Sequence, residues 1–276
     1  MGVWDIEVEG DHSYVTQGFL NHNSRNPNLQ NVPSPRTPNG KAIRGLFYAG
    51  PGKKLVVADY SQIEPRVLTD FSEDPAMLKA YLSNQDIYTT IADPMGLPRS
   101  AGKVLVLSMS YGIGDDKMAE DLGVTKTRAK EIKADFNKHF PNLERYKKQV
   151  ITQCKQRKPV HAATILGRRR YLPELFARTP YERSRAERQA FNTVIQGSAA
   201  DIIKLAMIRL DAELSQVPDT SLILTIHDEL VTTTPTEHAE QVAEMVREAM
   251  EGIKILKKVP LIADLKIVDK WSEAKD

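Results

Sequence analysis

Two short apolar runs that each end in a carboxylate place the strongest constraint on the fold of this chain. Asp59 follows an apolar run in "KKLVVADYS", and Asp228 follows another in "SLILTIHDELVTTTP". Burying an unpaired carboxylate costs on the order of several kcal/mol, so a residue in such a position usually faces a cation or solvent at a sheet edge. Long stretches of helical periodicity separate the two runs. The pattern predicts an α+β fold with few strands and long helical insertions.

The two aspartates also suggest a chemistry. Either one alone could be only a turn residue at the end of a strand. If the two strands are neighbours, the carboxylates converge and form an oxygen-ligand site for Mg²⁺ that leaves room for substrate phosphates. Two such ions about 3.5 to 4 Å apart could activate a hydroxyl and neutralise a leaving pyrophosphate.

Composition narrows the class of protein. With 276 residues, 41% of them hydrophobic, the chain can bury a substantial core. Its net charge is only +2, so nucleic-acid binding must depend on local basic clusters. The one cysteine, Cys154, excludes an internal disulfide and suits a reducing compartment. No apolar stretch reaches the roughly 20 residues of a membrane helix, so no membrane association is predicted, and we expect a cytoplasmic protein of a bacterial or phage-infected cell.

The order of predicted elements follows from periodicity and turn residues. The Pro- and Asn-rich segment 26–40 predicts a loop that divides two unlike pieces of the chain. The predicted strands are 3–8, 12–20, the apolar run before Asp59, a pair surrounding "HDE", and one near "PLIADLKIV". The predicted helical regions are 74–158, 180–216 and 236–251.

A predicted helix in "PRSAGKVLVLSMSYGIG" has a basic face. Pro98 suits the first turn of this helix, and Gly112 suits its end. Two cations, an apolar side chain and an aromatic ring would match the triphosphate, sugar and base of a bound nucleotide. The alternative is a solvated cationic face with a buried tyrosine. Steps of four place these side chains on one face: Arg99, Lys103, Leu107 and Tyr111.

Two further polar sets could contact nucleic acid. Arg188, Asn192 and Gln196 follow the same spacing and could donate to acceptors on the minor-groove edge of base pairs; ordinary surface polarity is the alternative. The densest basic run comprises Arg168, Arg169 and Arg170 in "GRRRY" and suits phosphate contacts, although a solvated loop would explain it equally.

Several motifs resemble those of the family A DNA polymerases, which are related to bacterial DNA polymerase I and its phage relatives. "DYSQIEPRV" and "HDEL" resemble the two palm motifs of that family, and "RSAGKVLVLSMSYG" resembles its fingers helix. "NPNLQNVP", "TILGRRRYLPEL" and "AFNTVIQGSAADIIKLAM" also match, and the motifs occur in the family's order between Ser24 and Asp276. The resemblance implies a palm in residues 24–66 and 207–276, with an antiparallel sheet that carries the carboxylates, and helical fingers in 67–206.

The resemblance also implies roles for individual residues. Asp59, Asp228 and the carbonyl of Tyr60 would bind two Mg²⁺ ions, with Mn²⁺ as an alternative. Lys103 would protonate the leaving pyrophosphate, and His227 and Glu229 would support the primer terminus. The implied nucleotide-binding residues are Tyr60, Gln62, Glu64, Arg99, Lys103, Leu107 and Tyr111. The implied DNA-binding residues are Asn28, Gln30, Asn31, Arg168, Arg169, Arg170, Arg188, Asn192 and Gln196.

Three features depart from the family pattern. Leu107 stands where the family mostly carries Phe or Tyr, which affects stacking on the incoming nucleotide and discrimination at its 3′ position. Pro65 replaces the apolar residue that usually follows Glu64. The short stretch between Asp86 and Arg99 is more typical of compact phage enzymes than of bacterial ones.

Residues 1–23 resemble the C-terminal end of an intein. Ser24 would accept an acyl chain through its hydroxyl, His22 would polarise the Asn23 carbonyl, and Asn23 would cyclise and cut the bond. His-Asn before a small nucleophile also arises by chance in roughly a few per cent of chains of this length. The residues that carry the resemblance are Asp5, His12, His22, Asn23 and Ser24.

These resemblances predict the C-terminal half of a split DNA polymerase that adds dNTPs to the 3′-hydroxyl of a primer on template DNA. Its partner would be a second chain with the N-terminal polymerase and intein halves, and we expect no primer extension before the two are joined or associated. One alternative is a single-subunit RNA polymerase, which Glu64 and "HDE" disfavour. The other is a nucleic-acid-binding remnant without catalytic activity, which the intact Asp59, Lys103 and Asp228 disfavour.

Overall fold

The computed structural model of the protein describes residues 13–16, 19–22 and 32–275. The chain forms two compact units, each built from more than one segment. The first, which we call the sheet unit, comprises Met1–Ser61, Ile202–Ile255 and Leu261–Asp276. The second, the helical unit, comprises Gln62–Asp201 and Leu256–Pro260.

The sheet unit contains a four-stranded antiparallel sheet. Its strands are β3 (Lys53–Tyr60), β6 (Ser221–Ile226), β7 (Glu229–Pro235) and β8 (Ala263–Val268). The spatial order is β6-β7-β3-β8, so β3 lies between β7 and β8. The few strands and the helices between them agree with the predicted α+β class, and the predicted strand pair around "HDE" is confirmed.

The centre of β3 is buried on both faces, which explains its continuous apolar run Leu55–Ala58. Successive side chains of a strand alternate between faces. On one face Leu55 and Val57 pack with Trp271 in an apolar cluster. On the other side, the Tyr60 hydroxyl donates a hydrogen bond of 2.7 Å to the carbonyl of Met250. Met250 belongs to a helix, Ala239–Glu251, that packs on the sheet.

The helices fall largely within the ranges that the sequence predicts. The region 74–158 consists of six separate helices, because capping residues such as Asp74 and Asp86 and the left-handed glycines Gly112 and Gly123 interrupt it. The helices are α1 (Pro38–Arg44), α2 (Ile63–Ser72), α3 (Pro75–Leu82), α4 (Ile87–Ala92), α5 (Arg99–Tyr111), α6 (Asp115–Leu122), α7 (Lys126–His139), α8 (Pro141–Gln156), α9 (Pro180–Leu214) and α10 (Ala239–Glu251).

Four short strands form two small antiparallel pairs. β4 (His161–Ala163) pairs with β5 (Arg169–Tyr171) in the helical unit. Near the N-terminus, β1 (Ser13–Thr16) pairs with β2 (Phe19–His22). The expected single strand over 12–20 is therefore wrong, because this stretch contributes to two strands of a hairpin. The other expected strand, 3–8, lies outside the described residues.

Cys154 is a free thiol and is buried. Within the described part of the chain, no helix combines the length and the apolar character that crossing a membrane requires.

Candidate active site

The sheet of the sheet unit brings Asp59 and Asp228 together. Asp59 is the next-to-last residue of β3, and Asp228 lies in the two-residue turn between β6 and β7. The backbone amide of Tyr60 donates a hydrogen bond of 3.1 Å to the carbonyl of Asp228, which ties the turn to the end of β3. The two carboxyl groups are close enough to interact electrostatically.

The electrostatics of Asp228 reflect this proximity. Burial raises the pKa of Asp228 well above its ordinary value, and the negative charge of Asp59 raises the pKa further. Two close carboxylates in a low-dielectric site disfavour each other's ionisation, so a cation at this position would relieve the repulsion.

The turn that carries Asp228 has an unusual backbone conformation. His227 has φ of 54°, in the left-handed region that a two-residue hairpin turn requires. Its side chain is exposed. Strand β6 ends at Ile226, directly before this turn.

The two oxygens of Asp59 have different surroundings. Oδ2 lies 2.8 Å from Nζ of Lys275. Oδ1 is buried, and no donor in the described part of the chain forms a hydrogen bond to it. An orphaned carboxylate oxygen beside a second acid is a suitable environment for a divalent cation.

Glu229 is the most buried acid of the group, with its side chain 2% exposed. It lies directly opposite Asp59 on β7. Its Oε1 accepts a hydrogen bond from Nε1 of Trp271 and lies 3.6 Å from the guanidinium of Arg44. Its Oε2 lies 2.8 Å from Nζ of Lys275. Glu229 is thus held by one hydrogen bond and two ion pairs, and we interpret it as an anchor of the acidic cluster.

Two cations, Arg44 and Lys275, contact Glu229. The Cζ atom of Arg44 lies 3.9 Å from the centroid of the Trp271 ring. Phe47 packs edge-on against the same ring, with 5.4 Å between the two ring centroids. Burial acts to lower the pKa of Lys275, but hydrogen bonds to Asp59 and Glu229 outweigh it and raise that pKa. Lys275 therefore remains charged beside the carboxylates.

The expected basic helix is α5 in the helical unit, and it begins at Arg99, one residue after the expected start. Lys103 is exposed and Leu107 is half-buried. Arg99 forms a two-pronged ion pair with Asp86, with contacts of 3.1 and 2.8 Å. This pair uses Nε and Nη2 of Arg99, so a phosphate would bind through the remaining N–H groups or displace Asp86.

Two expected nucleotide-binding residues lie at the start of α2. Gln62 precedes the helix in a left-handed conformation with φ of 57°, and its Oε1 accepts a hydrogen bond of 3.0 Å from the Tyr81 hydroxyl. Glu64 is half-buried in the first turn. The side chain of Tyr111 lies outside the described part of the structure.

Five of the six expected DNA-binding residues of the helical unit lie around one open groove of about 410 Å³. Arg169 and Arg170 are exposed on β5. Arg168 instead binds Asp201 at 3.1 Å and the carbonyl of Gly197 at 2.9 Å. We therefore infer that Arg168 holds β5 against α9. The groove is lined by Arg168, Arg169, Arg170, Asn192, Thr193, Gln196, Gly197 and Ala200.

The third member of the expected polar face on α9, Arg188, does not line this groove and donates to Ser184 Oγ at 2.9 Å. The remaining expected residues cannot be placed by their side chains. Asn28, Gln30, Asn31, Asp5, His12, Asn23 and Ser24 lie outside the described residues, and His22 is described only as the end of β2.

Comparison with known proteins decides the family. The family model for DNA polymerase family A matches residues 12–273. This chain belongs to DNA polymerase family A. The match begins at residue 12 and therefore also covers residues 12–23, which the sequence hypothesis assigns to an intein.

Individual family A proteins are similar over almost the whole chain. The thermostable DNA polymerase I of Thermus aquaticus is 38% identical over 262 residues, which are 92% of this chain and 31% of that protein. DNA polymerase I of Deinococcus radiodurans is 37% identical, over 91% of this chain and 27% of its own length. The chain thus spans about a third of the length of these relatives.

A solved family A structure has the same fold. The POL domain of Pol1 from M. smegmatis, in complex with DNA primer-template and dNTP, matches with a TM-score of 0.83 and 33% identity. The match covers 94% of this chain and 46% of that one.

Family A DNA polymerases use divalent metal ions, and the acidic cluster fits such ions. Within the described residues, no group of three or more His, Cys, Asp or Glu side chains is arranged to hold a metal. Asp59 and Asp228 would therefore supply only part of a coordination shell. Mg²⁺ is commonly bound by one or two carboxylates, with waters and substrate phosphates as the other ligands.

Three residues of the acidic cluster were not predicted from the sequence: Arg44, Trp271 and Lys275. Each contacts Glu229 and comes from a segment far from it in sequence. The available signal was indirect, since a buried acid requires nearby donors, but many residues of this chain could have supplied them.

Proposed function

We propose that this chain carries the palm and fingers of a template-directed DNA polymerase, which adds dNTPs to a primer 3′-hydroxyl by two-metal phosphoryl transfer. In this proposal the palm comprises residues 24–66 and 207–276, and the fingers comprise 67–206. The observation that carries it is the convergence of Asp59 and Asp228 at the end of β3. Family membership supports a DNA polymerase and disfavours the single-subunit RNA polymerase.

In the proposed site, the residues of the chain have distinct tasks. Asp59, Asp228 and the Tyr60 carbonyl would hold Mg²⁺ or Mn²⁺. Bound ions would activate the primer hydroxyl and neutralise charge on the leaving pyrophosphate. Glu229, held by Trp271 and Arg44, fixes the turn that carries Asp228. His227 is exposed on that turn, where it can support the primer terminus.

The helical unit would bind the nucleotide and the DNA. Arg99 and Lys103 on α5 would hold the triphosphate, and Lys103 would protonate the pyrophosphate. Leu107 and Tyr111 would lie along the sugar and base, while Gln62 and Glu64 would border the sugar. Arg169, Arg170, Asn192 and Gln196 would bind DNA through the groove, with Arg188, Asn28, Gln30 and Asn31 as further contacts.

Primer extension tests this function. The chain is assayed with the upstream part of the polymerase, on a primed DNA template with dNTPs and Mg²⁺. We expect Asp59→Asn and Asp228→Asn each to reduce extension by a factor of about 10³ or more, because each removes a charge that acts on the transition state. Asp264→Asn is the matched control, since Asp264 lies opposite Asp59 on β8 but is exposed.

The outcome can contradict the proposal in three ways. Extension that persists in Asp59→Asn at the wild-type rate would exclude the acidic cluster as the catalytic centre. Preference for rNTPs over dNTPs in the same assay would favour an RNA polymerase instead. DNA binding without extension by the joined wild-type protein would favour the noncatalytic remnant.

We propose separately that residues 1–23 act as an intein C-terminal segment. Asp5, His12, His22, Asn23 and Ser24 carry this proposal by their chemistry, with a partner chain that supplies the N-terminal halves of intein and polymerase. Mixing the two should give a ligated product whose mass corresponds to loss of residues 1–23. Asn23→Ala should block the final cleavage, and release of a chain that begins at Ser24 from this variant would refute the assignment.

A further inference from the structure

Lys275 is the residue of the acidic cluster to which neither the family motifs nor the proposed mechanism gives a role. Its Nζ lies 2.8 Å from Asp59 Oδ2 and 2.8 Å from Glu229 Oε2. Both distances are those of close ion-pair contacts. A single ammonium group therefore bridges a proposed metal ligand and the buried anchor beside it.

The charge balance explains why a cation lies at this point. Asp59 and Glu229 are directly opposite each other on β3 and β7, and Asp228 adjoins both. Like charges at this spacing repel strongly in a partly buried site. Glu229 has two other partners, Trp271 and Arg44, on its Oε1. For Asp59, Lys275 is the cation in direct contact among the described residues.

Lys275 can also leave this position at low cost. Its side chain is 40% exposed, whereas that of Glu229 is 2% exposed. Lys275 follows the short 3₁₀ helix Trp271–Glu273. The flexible four-carbon stem of a lysine can carry its ammonium group into solvent. The two acids are fixed by the sheet, so the ammonium is the mobile member of the bridge.

We propose that Lys275 is a built-in competitor for divalent ions, which occupies Asp59 Oδ2 until an ion takes its place. This inference rests on the proposed function, because it assigns the metal site to Asp59 and Asp228. An ion that uses only Asp59 Oδ1 and Asp228 can bind beside Lys275. An ion that also uses Asp59 Oδ2 must displace it. Lys275 therefore raises the concentration of divalent ion at which the site fills completely.

Metal binding to the whole chain tests this competition without any enzymatic assay. Mn²⁺ is titrated into wild type and Lys275→Met, and free Mn²⁺ is measured by electron paramagnetic resonance. We expect Lys275→Met to bind Mn²⁺ at least about fivefold more tightly, which is the lower range of coupling between two sites. Lys275→Arg should stay close to wild type, because it retains a competing cation.

The matched control is Lys54→Met, which removes a lysine that pairs with Asp269 at 2.7 Å away from the cluster. It should leave Mn²⁺ affinity unchanged. Affinity that is unchanged or weaker in Lys275→Met would overturn the proposal, and weaker affinity would identify Lys275 as a tether that positions Asp59.

A second measurement uses the wild-type protein and does not depend on the folding of a variant. The rate of reductive methylation of Lys275 is followed by mass spectrometry in chelator and in saturating Mn²⁺. Displacement from Asp59 should increase the rate with Mn²⁺, whereas Lys54 should be methylated at the same rate in both conditions. An equal rate for Lys275 in both conditions would also overturn the proposal.

The failure of this inference can be distinguished from failure of the proposed function. If Asp59→Asn and Asp264→Asn leave Mn²⁺ binding equally intact, the proposed metal site itself is wrong. If Asp59→Asn abolishes Mn²⁺ binding and Lys275→Met does not tighten it, the site stands and only the competition is refuted.

Discussion

At the scale of single residues, buried acids organise this protein in two different ways. Glu229 is stabilised by side chains: Trp271 donates a hydrogen bond, and Arg44 and Lys275 form ion pairs. Asp70 is instead held by backbone: its Oδ1 accepts hydrogen bonds of 3.0, 2.6 and 3.0 Å from the amides of Lys257, Lys258 and Val259. The motif analysis singled out neither network, because both depend on contacts between distant segments.

The Asp70 network gives a prediction for stability. Asp70→Ala leaves three amides without their acceptor, and an unsatisfied buried amide costs about 1 to 3 kcal/mol. We expect the free energy of unfolding to fall by about 3 kcal/mol or more, measured by urea denaturation. Asp269→Ala removes an exposed carboxylate that pairs with Lys54, and it should change the free energy of unfolding by less than about 1 kcal/mol. Equal effects would show that Asp70 is not structural.

Trp271 gives a second prediction at this scale. Trp271→Phe keeps an aromatic ring near Arg44 and Phe47 but removes the donor to Glu229 Oε1. We expect a loss of about 1 to 3 kcal/mol in the free energy of unfolding, because a buried carboxylate loses one charge-assisted hydrogen bond. The same urea measurement checks it. A stability equal to that of wild type would mean that Glu229 does not need this donor.

At the scale of elements, the close packing of α4 and α5 positions the basic helix. Gly102 allows this close packing, because a Cβ at this position would lie 2.0 Å from the carbonyl oxygen of Tyr88. Asp86 caps α4 and also binds Arg99 at the start of α5. The orientation of the proposed triphosphate-binding side chains therefore depends on a contact between backbones that admits no side chain.

Gly102→Ser should consequently disturb α5. A serine side chain fits the helix but not the gap, and overpacking of this kind costs about 1 to 3 kcal/mol. We expect lower thermal stability and weaker dNTP binding by the joined polymerase, measured by calorimetry and filter binding. Gly114→Ser is the matched control, because no heavy atom outside its immediate neighbours lies within 4 Å of a Cβ there and serine is a favourable N-cap. Equal stability of the two variants would refute this role of Gly102.

At the scale of the whole molecule, positive and negative charges nearly balance, so basic character is found in local clusters. The net charge of +2 is too small to attract DNA by itself. Exposed Arg169 and Arg170 in the groove of the helical unit are the concentrated basic feature that supports the proposed DNA binding.

Removal of both arginines should therefore weaken DNA binding in a way that depends on salt. For Arg169→Ala combined with Arg170→Ala, we expect the slope of log affinity against log salt to decrease by about one unit per arginine. Fluorescence anisotropy on primer-template DNA at several salt concentrations measures it. Lys126→Ala with Arg128→Ala removes two cations that already pair with Asp116 and Glu131, and it should leave the slope unchanged. An unchanged slope in the arginine variant would remove the groove from the DNA interface.

The sequence alone predicted the elements and their chemistry where the signal is local. Helix α5 from Arg99 and the hairpin around "HDE" follow from periodicity, proline and glycine positions and turn residues, which act over a few residues. Family A membership was likewise predicted from motifs that are each a short run of residues, and it is confirmed.

Only the tertiary structure decided which charges meet. The chain contains 38 basic and 36 acidic residues, and nothing local distinguishes Lys275 or Arg44 from the others. Pairing depends on the antiparallel register that sets Asp59 opposite Glu229 and on the turn that brings Trp271 beneath them. Electrostatic energy depends on distance and burial, which are properties of the folded chain, so the neighbours of the acidic cluster become known only with the fold.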